Sequence, residues 1–250
     1  MADSRKVAIV TGASRGIGAA TARLLASRGF AVLVNYANDE EAADRVVAGI
    51  RSEGAVARAF RADVSKEREV VAMFEAARDL GYLSALVNNA AVTGGFGRLE
   101  ATTAESIERV LAVNVLGAML CAREAVRRMS TRHNGRGGAI VNVGSIAARI
   151  GSAGEWIHYA ASKGAVHTLT LGLAREVAAD GIRVNCLAPG LIDTELHAAS
   201  GQPDRLERLR SGIPLQRPGT PEEVAAGIAW LLSAESSYVT GAIVEMGGGR

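Results

Sequence analysis

Short apolar runs alternate with longer amphipathic segments along the chain, and this alternation constrains the fold more than any other feature. The apolar runs are rich in valine and isoleucine and mostly non-alternating, as expected for strands that are covered on both faces. The predicted strands are Val7–Thr11, Ala31–Asn35, Ala57–Arg61, Ala85–Asn88, Ala139–Val143, Arg183–Leu187 and Ala242–Glu245. The predicted helices are Gly16–Arg28, Asp39–Glu53, Lys66–Leu80, Ala104–Ser130, Tyr159–Ala179 and Glu222–Leu232. This order predicts an α/β fold, with one doubly wound parallel sheet of about seven strands and helices on both faces.

No linker or compositional break divides the chain, so residues 1–250 are predicted to form a single domain. Two segments interrupt the pattern, Thr93–Thr103 and Leu191–Gly219, and both follow strands. Because ligands bind beyond the carboxyl ends of parallel strands, these segments are candidate walls or lids of a site. Ordinary surface loops are the alternative, although long loops are usually functional or disordered.

Composition argues against several classes of function. A net charge of +2 provides no broad field for nucleic acid. The arginines on the fourth predicted helix and the turn after it are interpreted as a solvated face: Arg123, Arg127, Arg128, Arg132 and Arg136. No run approaches the roughly 20 apolar residues of a membrane span, and the first apolar run is too short for a signal sequence. Cys121 and Cys186 lack CxxC spacing, which indicates reduced core thiols in a cytoplasmic protein, and the scattered histidines predict no metal site.

The stretch "TGASRGIG" joins the first predicted strand to the first helix and contains Gly12, Gly16 and Gly18. Glycines there let a pyrophosphate approach the unpaired N–H groups of the helix N-terminus, although a plain βα turn would also contain glycine. Arg15 opposes the helix dipole, and a phosphate bound nearby would reverse that unfavourable effect.

The second predicted strand ends in Asn35 and Tyr36, where dinucleotide-binding proteins often have an acid that holds the adenosine ribose. Without a carboxylate at Asn35, nothing there repels a 2′-phosphate. Together with Arg15, this favours NADP over NAD. We therefore expect the Asn35→Asp substitution to shift the preference towards NAD.

Further candidate contacts follow the third and fourth strands. The Asp63 carboxylate can hydrogen-bond an adenine amino group with Val64 against the ring, although the same residues precede a good helix cap at Ser65. The two asparagines of "VNNAA" suit turn formation as well as ligand contact.

A candidate acid–base group lies in "YAASK", because Tyr159 and Lys163 are four residues apart and share one helix face. The pKa of a phenol is ordinarily about 10, and an ammonium about 4 Å away would lower it towards neutrality. Ser145 ends a strand at the predicted ligand edge, where it can hydrogen-bond a substrate carbonyl or cap the next turn. Asn114 lies mid-helix among apolar residues, so it either kinks the helix or joins a polar network.

In combination these motifs resemble the short-chain dehydrogenase/reductase family. "TGASRGIG", Asp63–Val64, "NNAA", Asn114, Ser145, "YAASK" and "PGLIDT" occur in the family order between Lys6 and Gly249. The resemblance implies a Rossmann-type fold and an enzyme that passes hydride between NADP(H) and a carbonyl or alcohol of a small molecule. It also implies a homotetramer with "VEMGGGR" near a subunit interface. 3-Oxoacyl-acyl-carrier-protein reductases and glucose dehydrogenase-like enzymes are similar members; a non-catalytic NADP sensor is the alternative outside the enzyme class.

The resemblance also implies residue roles. Tyr159 is the proton donor in reduction and the base in oxidation, and Lys163 lowers its pKa and binds the nicotinamide ribose. Ser145 orients the carbonyl, while Asn114 anchors a water that relays protons to Lys163. The implied contacts to NADP, or to NAD where it is accepted, are Gly12, Ser14, Arg15, Gly16, Ile17, Gly18, Asn35, Tyr36, Asp63, Val64, Asn89, Ala90, Ala91, Tyr159, Lys163, Pro189, Gly190, Ile192 and Thr194.

The chain departs from the family pattern at several places, among them the turn before the fifth strand, which "RHNGRGG" lengthens. Ala91 stands where the family usually has glycine, which puts one methyl group beside the cofactor. One residue more than the common spacing separates Ser145 from Tyr159, and we expect it to reshape the substrate wall around Glu155 and Trp156. Asp180 replaces a basic residue that often docks the carrier protein in acyl-carrier-protein reductases, and its carboxylate would repel an acidic carrier.

Overall fold

In the computed structural model, which describes residues 5–195 and 201–250, seven strands form one sheet. They are β1 (Lys6–Val10), β2 (Ala31–Tyr36), β3 (Ala57–Arg61), β4 (Tyr82–Asn88), β5 (Gly138–Val143), β6 (Ile182–Pro189) and β7 (Ile243–Met246). Neighbouring strands pair in parallel in the order β3-β2-β1-β4-β5-β6-β7. The predicted doubly wound parallel sheet is confirmed.

Helices cover both faces of this sheet. They are α1 (Gly16–Ser27), α2 (Glu40–Ser52), α3 (Glu67–Ala77), α4 (Ala104–Leu111), α5 (Ala118–Met129), α6 (Ala147–Ile150), α7 (Ile157–Val177), α8 (Arg205–Leu209) and α9 (Pro221–Leu232). The predicted helix Ala104–Ser130 is confirmed, with a π-helical turn over Ala112–Gly117 that joins α4 directly to α5. Among the described helices, none is both long and apolar enough to cross a membrane.

Two apolar cores hold the layers together, one on each face of the sheet. One core packs α1, α2 and α9 on the sheet and includes Leu25, Val46 and Ile228 with Val34. The other packs α3, α5 and α7 and includes Phe74, Met129 and Val177 with Leu33. Successive strand residues point to opposite faces, so strands buried on both faces are apolar at nearly every position.

The strand order places β1 between β2 and β4, so the connections after β1 and β4 leave towards opposite faces of the sheet. This reversal creates a crevice at the carboxyl ends of these strands, where ligands bind in open α/β sheets.

The arginine-rich face of α5 differs in part from the prediction. Arg127 and Arg132 are exposed, as expected for a solvated face. Arg128 is only 19% exposed and forms ion pairs with Glu75 and with the buried Glu124. The interpretation of a wholly solvated face is therefore wrong for Arg128.

Asp180 is not a surface carboxylate. It is buried, accepts a hydrogen bond from the Ser130 hydroxyl at 2.9 Å and pairs with Arg132 at 2.7 Å. Because its charge is neutralised within the fold, it provides little repulsion for an acidic carrier. The sequence-based argument against a carrier-linked substrate is wrong on this point.

Candidate active site

A cleft of about 430 Å³ opens at the carboxyl ends of the strands. It runs from the glycine-rich turn after β1 and the end of β2 to the residues that follow β5 and begin α7. The predicted site residues that line it are Gly12, Ser14, Arg15, Gly16, Ile17, Asn35, Tyr36, Asp63, Val64, Asn89, Ala90, Ala91, Ser145, Tyr159, Lys163, Pro189, Gly190, Ile192 and Thr194. Gly18 and Asn114 are not among the lining residues. The structure thus brings most of the predicted site into one cleft.

The conformation of the glycine-rich turn depends on its glycines and on the Asn89 side chain. Gly12 and Gly16 have φ angles of +60° and +52°, a region that favours glycine. The Asn89 side chain donates to the carbonyls of Thr11 at 2.8 Å and Gly12 at 2.9 Å. Asn89 therefore fixes the turn as well as lining the cleft.

Gly18 contributes to packing and not to the lining of the cleft. A Cβ atom at this position would overlap the Gly12 carbonyl oxygen and lie 2.6 Å from the Asn89 side-chain nitrogen. The first turn of α1 thus sits directly against the glycine-rich turn. Gly18 thus supports the glycine-rich turn, and its contact with a cofactor stays a prediction.

Asn35 also acts on the protein itself. It is buried, and its side-chain oxygen accepts from the Gly12 backbone N–H at 3.1 Å. Its amide nitrogen donates to the Ala62 carbonyl at 3.0 Å. A carboxylate would lose that donor and face carbonyl oxygens, so Asn35→Asp tests the stability of the turn more than the choice of nucleotide.

Three charged residues line the cleft near the glycine-rich turn: Arg15, Asp39 and Glu195. Arg15 precedes α1, is half exposed and lies 3.8 Å from the exposed Glu195 carboxylate. Asp39 caps α2 by accepting from the Ala42 N–H at 2.9 Å. The phenol of Tyr36 bonds to Glu40, and burial, together with that bond, raises its pKa.

Asp63 is part of a small polar network at the edge of the cleft. One carboxylate oxygen accepts from the Ser65 hydroxyl at 2.7 Å, and the other from Arg109 at 3.1 Å. Burial raises the pKa of Asp63, but the bonds from Ser65 and Arg109 outweigh it, so the pKa lies below its usual range. Arg109 lines the cleft as well, and no spacing in the sequence linked it to Asp63.

Tyr159, Ser145 and Lys163 meet at the other end of the cleft. Ser145 follows β5, and its hydroxyl hydrogen-bonds the Tyr159 phenol on the first turn of α7. Lys163 lies one helical turn later, with its ammonium 5.6 Å from the Tyr159 ring centre. The ammonium donates to the Val143 carbonyl at 2.7 Å.

The electrostatics of this group differ from the sequence-based expectation. Burial raises the pKa of Tyr159, while the Ser145 hydrogen bond and the charge of Arg205 lower it less strongly. Burial also lowers the pKa of Lys163 to about 8. The expected lowering of the Tyr159 pKa by Lys163 is therefore wrong for this structure, in which the ammonium is bonded to a strand carbonyl.

Asn114 lies in the π-helical turn behind Tyr159, so both alternatives of the prediction hold: the helix is irregular there and a polar network forms. Its side-chain oxygen accepts from the Val92 N–H, and its nitrogen donates to the Val92 carbonyl, both at 2.9 Å. The nitrogen also donates to the Ser162 hydroxyl, which in turn donates to the Tyr159 carbonyl. The side-chain amide is thus engaged by the protein, and the role of Asn114 as a water anchor stays a prediction.

Trp156 lines the wall beyond Tyr159, whereas Glu155 is not among the lining residues and pairs with Arg205 instead. Arg205 from α8 lines the wall as well, and no motif in the sequence indicated it. Arg205 lies 50 residues from its partner Glu155, and no local signal in the sequence connects the two. Part of the predicted lid Leu191–Gly219, residues 196–200, lies outside the described residues.

A doubly wound parallel sheet with a cleft at its topological switch point defines the Rossmann-type class of α/β proteins. A family model described as "Enoyl-(Acyl carrier protein) reductase" matches residues 12–250. The chain is 54% identical over 245 residues to the uncharacterized oxidoreductase YgfF of Escherichia coli strain K12, covering 98% of this chain and 99% of that protein. It is 42% identical over 248 residues to cis-4-hydroxycyclohexanecarboxylate dehydrogenase of Sinomonas cyclohexanicum, covering 98% and 96%.

Among solved structures, a short chain dehydrogenase from Burkholderia cenocepacia J2315 in complex with NADP aligns with a TM-score of 0.90. It is 35% identical, and the alignment covers 98% of this chain and 97% of that one. The chain therefore belongs to the short-chain dehydrogenase/reductase family of oxidoreductases.

Proposed function

We propose that this oxidoreductase interconverts a carbonyl and a secondary alcohol on a small molecule, with NADP(H) as the hydride carrier and Tyr159 as general acid and base. The observation that carries the proposal is the Tyr159 phenol hydrogen-bonded to Ser145 in the cleft that begins at the glycine-rich turn. Both ends of this cleft are needed, because hydride transfer requires a bound dinucleotide and a proton donor beside the reacting carbon.

The residues of the turn fit a dinucleotide. Arg15 precedes α1 without a side-chain cap, and the first turn of the helix contains no acid, so its N–H groups are available to a pyrophosphate. Arg15 is placed to meet a 2′-phosphate, which supports a preference for NADP. Asp39 lines the same end and would favour a free ribose hydroxyl, which supports the use of NAD as well.

When bound, the nicotinamide supplies or accepts the hydride. In reduction, Ser145 donates to the carbonyl oxygen and Tyr159 transfers its phenolic proton to that oxygen as the new C–H bond forms. Because burial keeps the pKa of Tyr159 high, the phenol is protonated near neutral pH and is ready to act as the acid. In oxidation the steps reverse, and the phenolate accepts the hydroxyl proton. Asn114 acts as a positioning residue, since it holds the start of α7 through Ser162.

The family resemblance of the sequence gives two candidate substrate classes, a 3-oxoacyl thioester and a sugar or polyol. The similarity to a cis-4-hydroxycyclohexanecarboxylate dehydrogenase supports a third, a ring alcohol or ketone. Buried Asp180 no longer argues against the first.

The test is a substrate panel of ring ketones, sugars, oxo acids and 3-oxoacyl thioesters, run with NADPH or NADP and with NADH or NAD. Absorbance of the reduced nicotinamide measures turnover. We expect turnover with at least one class, more efficient with the phosphorylated nucleotide, and a loss of roughly 10²–10⁴-fold in Tyr159→Phe. Tyr238→Phe, at a fully exposed site outside the cleft, is the matched control. A Tyr159→Phe enzyme with undiminished turnover would contradict the proposal.

We also propose that the chain forms a homotetramer, in line with the family resemblance. Support comes from exposed apolar side chains on α4, the π-helical turn, α5 and α7, namely Leu111, Leu116, Met119 and Leu171. Apolar residues clustered on adjacent helices are typical of assembly faces.

A further inference from the structure

Arg205 is an almost fully buried cation on the cleft wall beyond Tyr159. Its side chain is 9% exposed, and two of its nitrogens pair with the Glu155 carboxylate, Nη2 at 2.6 Å and Nε at 3.3 Å. Its guanidinium carbon lies 4.8 Å from the centre of the Trp156 ring. Trp156 is itself held by an edge-to-face contact with Phe96 at 5.3 Å. Arg205 and Trp156 are therefore fixed in place and line the cleft together.

Both residues keep hydrogen-bond donors that the described part of the protein does not use. Glu155 engages Nε and Nη2 of Arg205, which leaves Nη1 without an acceptor among the described residues. The indole N–H of Trp156 is buried and likewise has no acceptor there. A buried donor without a partner, such as the Trp156 N–H, is costly and uncommon. Guanidinium and indole nitrogens donate and do not accept, so the complementary ligand group is rich in acceptors.

The charge of this wall selects among acceptor groups. Arg208 also approaches Glu155, at 3.9 Å, so two arginines face one carboxylate. The charge of Arg205 lowers the pKa of Tyr159, which places the guanidinium within electrostatic reach of the phenol. One net positive charge and the Nη1 edge of Arg205, which Glu155 leaves unused, match the charge and the oxygens of a carboxylate.

We propose that Arg205 and Trp156 bind a carboxylate of the substrate, so that the chain acts on oxo acids and hydroxy acids whose reacting carbon stands at Tyr159. This inference rests on the proposed function, because it names the substrate class of the same site. Glu155 holds the guanidinium in place and leaves its remaining edge for the ligand.

The kinetic test compares oxo acids with their methyl esters, which differ in charge at one group. Suitable pairs are 4-oxopentanoate, 5-oxohexanoate, 6-oxoheptanoate and 4-oxocyclohexanecarboxylate, each with its ester and NADPH. For the acid of best-fitting length we expect kcat/KM to exceed that of its ester by roughly tenfold to a hundredfold, as a charge-assisted bond provides. Equal rates for acid and ester in every pair would overturn the inference.

Substitutions at Arg205 and Glu155 test which residues cause the preference for the acid over the ester. Arg205→Met should reduce the acid-to-ester ratio by roughly tenfold or more while ester turnover persists. Glu155→Gln should increase the ratio, because it removes the competing anion and keeps the guanidinium; a purely structural Glu155 would leave the ratio unchanged. Arg210→Met removes the same charge from an exposed arginine next to α8 that does not line the cleft, and should leave the ratio unchanged. A ratio that survives in a folded Arg205→Met enzyme contradicts the inference.

A binding measurement separates this inference from the proposed function. The chain has two tryptophans, so a Trp230→Phe background leaves Trp156 as the single indole reporter. We expect cyclohexanecarboxylate, with and without NADP, to change the Trp156 fluorescence at lower concentration than cyclohexanecarboxamide does. The difference should vanish in Arg205→Met, and Arg205→Gln, which removes the charge but still donates to Glu155, replaces it if the methionine variant does not fold. Absence of turnover on the whole panel would overturn the proposed function, whereas equal binding of acid and amide would overturn the carboxylate site alone.

Discussion

Lys163 is a buried cation whose hydrogen-bond partner is a neutral carbonyl, that of Val143. Taking a charged group out of water without a carboxylate beside it costs free energy, and the group responds by a shift of its pKa. Burial lowers the pKa of Lys163 from 10.5 to about 8. The protonated lysine therefore destabilises the folded chain, at the position where the proposed reaction needs its charge.

This shift predicts a pH dependence of stability. The pKa of Lys163 is lower in the folded state than in the unfolded state, so between pH 8 and about 10.5 the unfolded chain binds more protons. The free energy of unfolding should then rise with pH, by about 2 kcal/mol between pH 7 and pH 9.5. Urea unfolding of the wild type and of Lys163→Met across this range measures the effect. The contribution of Lys163 is the difference between the two slopes, and parallel curves would show that burial does not lower this pKa.

Asn35, Asn89 and Asn114 show that one residue type can support a site through bonds to the protein itself. Each uses its side-chain amide to hold backbone that is distant in sequence. Asn35 holds the Gly12 and Ala62 regions, Asn89 holds the Thr11–Gly12 turn, and Asn114 holds the Val92 segment. A carboxamide offers a donor and an acceptor at once, which a carboxylate does not. The acid missing after β2 is thus explained by the need to hold the glycine-rich turn.

At the level of elements, the contact between α1 and the turn before it allows a sharp test. Gly18→Ala would push a methyl group into the Gly12 carbonyl and the Asn89 amide. Overpacking of this kind costs roughly 1–3 kcal/mol, and here it displaces the turn that is proposed to bind the pyrophosphate. We expect a lower free energy of unfolding in urea together with weaker NADP binding.

The matched control is Gly49→Ala in α2, where an added Cβ meets no atom within 4 Å. Replacing a mid-helix glycine by alanine should stabilise the chain by roughly 0.5–1 kcal/mol. If Gly18→Ala were as stable as the wild type, α1 could not be packed against the turn as described.

The elements that could be predicted from sequence are those specified by local pattern. All seven strands and the first three helices follow from apolar runs bounded by turn residues, with ends displaced by a few residues at most. The π-helical turn within Ala104–Ser130 was indicated only by Asn114, a residue disfavoured inside a helix, because such a turn has no periodic pattern of its own. Tyr159 and Lys163 were found by their spacing on one helix, whereas Arg205 meets Glu155 only through the fold.

The same distinction explains the wrong electrostatic expectation. Sequence spacing places Lys163 one turn from Tyr159, but it does not reveal that the Val143 carbonyl lies within reach of the ammonium. Sequence spacing also says nothing about burial, which raises the pKa of Tyr159 and lowers the pKa of Lys163.

For the whole molecule, the adjacent helices α4, α5 and α7 present the apolar side chains of Leu111, Leu116, Met119 and Leu171 to solvent. Exposed large apolar residues on neighbouring helices favour burial against another chain. We therefore expect size-exclusion chromatography with light scattering to report four times the 25.9 kDa of one chain.

The double substitution Leu116→Glu and Met119→Glu would place two carboxylates in that interface and should reduce the mass to a dimer or a monomer. Ser52→Glu adds a negative charge at the exposed end of α2 on the other face of the sheet, and should leave the mass unchanged. A monomeric wild type would contradict the assembly itself, and a double variant that remains tetrameric would place the interface elsewhere.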